Sequence, residues 1–196
     1  MKKLSTYLFL LLFSFQASSW ADDIRDFEIE GMSVGDSLLD YYDEDEINNF
    51  LKMNYPGDDE YTGYEIPKSL SKIKFNTYDS ITVHFKTNDK KMKIVSISGI
   101  KLYPNKLEKC LKDRDRIAKE IKDSLNNPVE DEYTTTYGDD NNSKGYTKEL
   151  TIEKGSIRFW CNDWDKKWDR AKYWKDDLNV SIDSEELLYW VFNKAY

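Results

Sequence analysis

Ser37 stands in the stretch Val34–Asp40, VGDSLLD, where a serine between an aspartate and a leucine pair could serve as an acyl-transfer nucleophile. A serine hydroxyl becomes nucleophilic only when a base takes its proton, usually a histidine oriented by an acid. The chain has one histidine, His84. It alternates with Thr82 and Lys86, on the strand side opposite Ile81, Val83 and Phe85, so it is expected to face solvent, unconnected to Ser37. Asp36 and Ser37 then suit the first turn of a helix that Leu38 and Leu39 dock. A pair of carboxylates could instead serve glycoside hydrolysis. With 34% of residues charged, chance pairs are guaranteed, and no catalytic residue is nominated.

The four letters Gly35–Leu38 resemble the nucleophile block of GDSL-type serine esterases. That resemblance implies a strand immediately before the motif, parallel strands after it, and a histidine near the C-terminus three residues after an aspartate. Here a short polar approach, Glu28–Ser33, precedes the motif, and no histidine follows His84.

The tryptophans are distributed unevenly. Phe159–Trp174, FWCNDWDKKWDRAKYW, holds Trp160, Trp164, Trp168 and Trp174, with Asp163, Asp165 and Asp169 among them. Exposed rings beside carboxylates can stack on sugar faces and hydrogen-bond to hydroxyls, which makes these four residues the candidate ligand or partner contacts. The alternative is that Trp160 covers the outer sheet face and the others pack the connection onto the domain.

The remaining chemistries have little to stand on. The acidic run Asp40–Glu46, DYYDEDE, lacks the alternating ligands around a glycine that a calcium loop needs. It is better read as a helix N-terminus, with Asp43 and Glu46 spaced as a capping box. Asp139–Asn142 reads as a hairpin turn. Phosphate loops, zinc spacings and basic stripes interleaved with aromatics are absent from the sequence, so neither cofactor nor metal is expected.

Lys2 and Lys3, the apolar run Leu8–Phe15 and Ser19-Trp20-Ala21 follow the order of a secretory signal, so residues 1–21 are expected to be cleaved near Ala21. The apolar stretch is shorter than the about 20 residues a membrane span requires. The whole chain has a formal charge of -8, and loss of Lys2 and Lys3 makes it more negative by two. Such a surface disfavours nucleic acid and anionic lipid. A periplasmic or secreted protein without membrane insertion is expected, with a protein or glycan as partner.

Cys110 lies on the apolar face of a helix pattern with Leu107, Leu111, Ile117, Ala118 and Ile121. Cys161 alternates with Ile157 and Phe159 on one side of a strand. Both thiols point toward a shared core, and in an exported chain they are expected to pair. Closing a loop of about 50 residues stabilises by roughly 4 kcal/mol in the chain-entropy model.

These elements must hold the candidate residues in place. Strands are expected at Ser80–Thr87, Met92–Tyr103, Glu132–Thr136, Tyr146–Ile152, Ser156–Cys161 and Leu178–Ile182, with a weaker one at Ile73–Phe75. A helix follows Pro104, and Ser184 opens a terminal helix through Leu187, Leu188, Val191 and Phe192. Ser33 is expected to cap a turn into Leu38, and Asn54–Pro67 reads as a loop because of Pro56, Gly57 and Gly63. The expectation is one α+β domain over residues 22–196, an antiparallel sheet of hairpins with helices packed on one face and one disulfide.

FEIEGMSVGDSLLDY (Phe27–Tyr41), VSISGI (Val95–Ile100), the helix carrying Cys110 and WCNDW (Trp160–Trp164) together resemble a group of small exported proteins of marine, Pelagibacter-type bacteria. The group has no assigned activity. The resemblance implies export, paired cysteines and a single domain, and carries no function with it. A non-catalytic binding protein is the expected function; a small hydrolase using Ser37 or paired carboxylates is the alternative.

Overall fold

The computed structural model describes residues 23–137, 142–169 and 175–196, and only the backbone of residues 168–169. The expected signal segment 1–21, part of the polar turn at 138–145, Trp174 and the side chain of Trp168 lie outside the described residues.

Among the described residues, ten strands form the architecture: β1 (Glu28–Ile29), β2 (Met32–Ser33), β3 (Leu51–Lys52), β4 (Tyr61–Pro67), β5 (Ser80–Lys86), β6 (Ile94–Leu102), β7 (Val129–Tyr137), β8 (Ser143–Ile152), β9 (Gly155–Asp163) and β10 (Asp177–Ser184). The first two make a small ladder, and the other eight make one antiparallel sheet in the order β3-β4-β5-β6-β10-β9-β8-β7. Helices α1 (Glu44–Asn48), α2 (Leu107–Lys122), α3 (Lys166–Asp169) and α4 (Glu185–Asn193) complete it. The α+β architecture and its hairpins agree with the sequence pattern.

The register follows from hydrophobic alternation. Val83, Ile97, Ile182, Ile157 and Leu150 stand opposite one another on five adjacent strands, all buried on one side of the sheet. Sliding any strand by one residue would turn its apolar row to the other side. Helix α2 covers this side through Cys110, whose disulfide to Cys161 has a Cα–Cα separation of 6.0 Å. Leu38, Tyr42, Ile47 and Phe75 fill the same core from the N-terminal segments.

Helix α4 belongs to a different cluster. Leu187 and Trp190 pack with Tyr61 and Ala195, and Trp190 meets the Tyr55 ring at 4.9 Å. Tyr55 in turn bonds to His84, which alternation places opposite Val83. The helices therefore do not share one side of the sheet, because α4 has its own apolar stripe to bury and reaches the far side through β10.

Three local expectations change. Residues 61–67, expected as loop, form β4, paired with β5 from Tyr61↔Lys86 to Pro67↔Ser80. Gly63, one of the three residues behind that expectation, has a tertiary reason: a Cβ there would lie 2.8 Å from the His84 ring. Ile73–Phe75 is not a strand; the Glu30 carboxylate takes the next three N–H groups, those of Asn76, Thr77 and Tyr78, at 2.7–3.0 Å. Ser33 lies in β2 and does not cap; its hydroxyl donates to the Phe27 carbonyl. The Asp43–Glu46 capping box forms as expected at the start of α1.

Candidate functional site

Ser37 is placed by the β5–β6 hairpin. Its hydroxyl donates to the Lys91 carbonyl at 2.6 Å, and its backbone bridges Lys93, while Leu38 beside it is buried in the core. The serine precedes a short 3-10 turn, Leu38–Asp40, without capping it through its side chain. Its hydroxyl proton is committed to a main-chain carbonyl, and no histidine is its partner.

His84 corrects the expectation of a solvent-facing residue. Its ring is buried, with Nε2 2.6 Å from the Tyr55 hydroxyl and Nδ1 without a partner among the described residues. Burial pushes its pKa down to about 4, since a charged imidazolium would lose its hydration there. In the sequence, His84 has only the alternation of its own strand; the Tyr55 and α4 cover comes from segments 29 residues before and about a hundred residues after it.

The polar side of the sheet is closed around Asp183. Asp183, only 2% exposed, accepts four hydrogen bonds. Arg158 donates from Nε and Nη2 to Oδ2 at 3.0 and 2.8 Å, and Ser96 and Ser181 donate to Oδ1 at 2.7 and 2.8 Å. Ser98 donates onward to Ser181. Arg158 also lies over the Trp160 ring at 5.4 Å and over Phe192 at 5.9 Å. Trp160 is thus on the polar side, half-buried, and engaged by a cation from its own chain.

At the far end of the same side, the rings and carboxyls come together. Trp164 stacks on Tyr137, with centroids 5.1 Å apart and planes at 22°. Tyr137 donates to Asn162 Oδ1 at 3.1 Å, and the amides of Asn162 and Asn179 donate to Asp177. The Trp164 indole N–H points to Asp177 Oδ2 at a long 3.5 Å. Gly145 leaves room for this arrangement, because a Cβ there would come 2.3 Å from the Tyr137 hydroxyl oxygen. Burial of Asp177 outweighs its amide donors and pushes its pKa up to about 7.

Trp164 also lines an open cleft of about 840 Å³ against the start of α2. Asn105, Asn142, Asp163, Asp165 and Asp176 stand around it. Asp176 ties the two walls together, accepting from the Trp164 N–H at 3.0 Å and from the Asn105 N–H at 2.9 Å. Burial, followed by the Asp176 charge, raises the Asp163 pKa. The cleft therefore offers one half-buried indole, side-chain amides, several carboxyls and the lysines Lys106, Lys109 and Lys166, a set suited to apolar stacking and hydroxyl recognition.

The structure brings Trp160 and Trp164 to one side of the sheet, but only Trp164 lines the cleft. Asp177, Asn162, Asn179 and Tyr137 were absent from the sequence-based candidates. The N-D-W spacing in Asn162–Trp164 hints at a polar-aromatic cluster, yet the Asp177 contribution depends on the β9–β10 pairing, Asn162↔Asp177. Among the described residues, no helix is long and apolar enough to cross a membrane. No family model matches the chain, and no curated protein or solved structure matches it either.

Proposed function

We propose that this is an exported binding protein that takes a carbohydrate in the cleft beside Trp164, acting by recognition and not by catalysis. The observation that carries this reading is the shared placement of the Trp164 indole, the Asn105 and Asn142 amides and the Asp163, Asp165 and Asp176 carboxyls around one opening. Sugar rings present apolar C–H faces to aromatic planes and hydroxyls to amides and carboxylates, which is the division of labour this lining provides. Residues 1–21 act as the export signal in this reading, and the Cys110–Cys161 disulfide suits an oxidising compartment. A glycan array probed with the wild type and with Trp164→Ala tests it. Carbohydrate binding lost in Trp164→Ala, with unchanged circular dichroism, is expected; an array without hits, or hits indifferent to Trp164, overturns the assignment.

A second reading, carboxylate-based glycoside hydrolysis, draws on Asp177, whose pKa near 7 would suit a proton donor at neutral pH. Reducing-end formation from array-positive oligosaccharides, abolished in Asp177→Asn, would favour it over simple binding.

A further inference from the structure

The two edges of the large sheet are finished differently. The edge strand β3 is two residues long, a common way to keep a sheet from extending. The opposite edge, β7, runs for nine residues, Val129–Tyr137, mostly exposed and without proline, glycine, lysine or a break in its pairing with β8. An open edge of this length is a template for another strand.

We propose that β7 pairs antiparallel with β7 of a second copy of this chain, about a two-fold axis at Tyr133. The sequence of the strand, VEDEYTTTY, is acidic before Tyr133 and hydroxylic after it. Two-fold pairing at that residue sets Glu130, Asp131 and Glu132 opposite Thr136, Thr135 and Thr134 of the second copy, so no like charges face each other. Two of the three acids are already neutralised within the chain, Glu130 by Lys122 and Glu132 by Arg114 and Lys148. Of the three acids on the edge, Asp131 is then the one left without a basic partner in these ion pairs.

The outward main-chain groups fit the same register. The Glu132 N–H is held by the Asp131 carboxylate at 2.8 Å. It therefore points away from β8, and strand alternation turns the even-numbered residues 130–136 outward. Pairing at Tyr133 matches Glu132 with Thr134 and Glu130 with Thr136, giving about eight main-chain hydrogen bonds across the axis. Asp131 must release the Glu132 N–H for this to happen, so it is a built-in competitor of the dimer. A strand edge covers less area than a permanent interface, which makes the association weak and reversible.

Sedimentation velocity of the purified protein from about 1 µM to 1 mM reads the assembly on the scale of weak complexes. A concentration-dependent dimer is expected. Thr134→Pro should abolish it, because the lost N–H is an outward one and the β7–β8 ladder keeps its bonds; circular dichroism checks the fold. Asp131→Ala should tighten it. Oxidation of Tyr133→Cys should give a covalent dimer, whereas Asp131→Cys and Thr135→Cys should cross-link only when mixed. A monomer throughout the range, a dimer indifferent to Thr134→Pro, or self-linking of Asp131→Cys overturns the proposal. None of these readings involves sugar, so they fail or succeed separately from the cleft assignment.

Discussion

Five adjacent strands carry Val83, Ile97, Ile182, Ile157 and Leu150 on one side of the sheet, and one residue along each strand Thr82, Ser98, Ser181, Arg158 and Glu149 stand on the other. The first row is closed by α2 and the N-terminal segments, each side chain contributing about 1.5–3 kcal/mol by leaving water. The second row is nearly as dry over Thr82, Ser98 and Ser181, yet it gains little net stability, because hydrogen bonds to water are only exchanged for internal ones. What the polar row provides is position. Asp183 fixes Arg158, Arg158 lies across Trp160, and the apolar row on the reverse side keeps their two strands in register. The difference is between a side that holds the fold together and a side on which polar groups are kept at fixed points.

Several measurements would break or sharpen that contrast. The largest effect is expected from Asp183→Ala, which leaves the Arg158 guanidinium buried without its counter-ion at a cost of about 4 kcal/mol. Replacing both partners, Arg158→Met with Asp183→Leu, should recover most of that loss in urea denaturation. A double variant as unstable as the single one would mean that the polar row is itself a main source of stability.

Neighbours on the two sides give the next comparison. Ile182→Ala should cost about 3 kcal/mol through lost burial and a residual cavity. Ser181→Ala, one residue away, should cost about 1–2 kcal/mol, since it removes the donation to Asp183 and the acceptor of Ser98. Equal denaturation midpoints for the two variants would erase the distinction between the sides.

The two ends of the polar side should respond to pH in opposite senses. His84 titrates near 6.5 when unfolded and at about 4 when folded, so its contribution is whole above 6.5 and is lost as pH falls through 4. Asp177 moves the other way, from 3.8 to about 7, so its contribution is whole below 3.8 and is lost as pH rises through 7. Each amounts to a few kcal/mol at most. Urea midpoints between pH 4.5 and 8 should therefore fall with rising pH in His84→Gln and with falling pH in Asp177→Asn. Parallel profiles in the two variants would show that neither group is buried as described.

The smallest expected effect lies outside the sheet. Asp43→Ala removes the cap that bonds the Glu46 N–H and should cost about 1 kcal/mol, read as a small fall in thermal midpoint.

Much of the apolar side was legible because one periodicity serves both local structure and burial. Ile157, Phe159 and Cys161 announce a strand and its inward side at once, and the helix pattern around Cys110 does the same, so the disulfide could be anticipated from two local readings. The polar side offered no such shortcut. Ser181 and Asp183 alternate with Val180 and Ile182 just as exposed residues would, and His84 alternates with Val83 in the same manner. Whether such residues meet water depends on what returns over them. Gly63 misled for a related reason: with Pro56 and Gly57 it signals a loop, whereas β4 uses it for room beside the His84 ring.

The sequence by itself determined the six strands β5–β10, the long helix, the inward side of Ile157, Phe159 and Cys161 and the pairing of Cys110 with Cys161, since these follow from side-chain spacing within short segments. Only the tertiary structure decided that the reverse side of the sheet is buried, that α4 lies with Tyr55 beside His84, and that Asp177 joins Trp164 and Tyr137. Those outcomes are set by contacts between segments far apart in the chain, where a polar residue's burial is fixed by its neighbours and leaves no mark on its own periodicity.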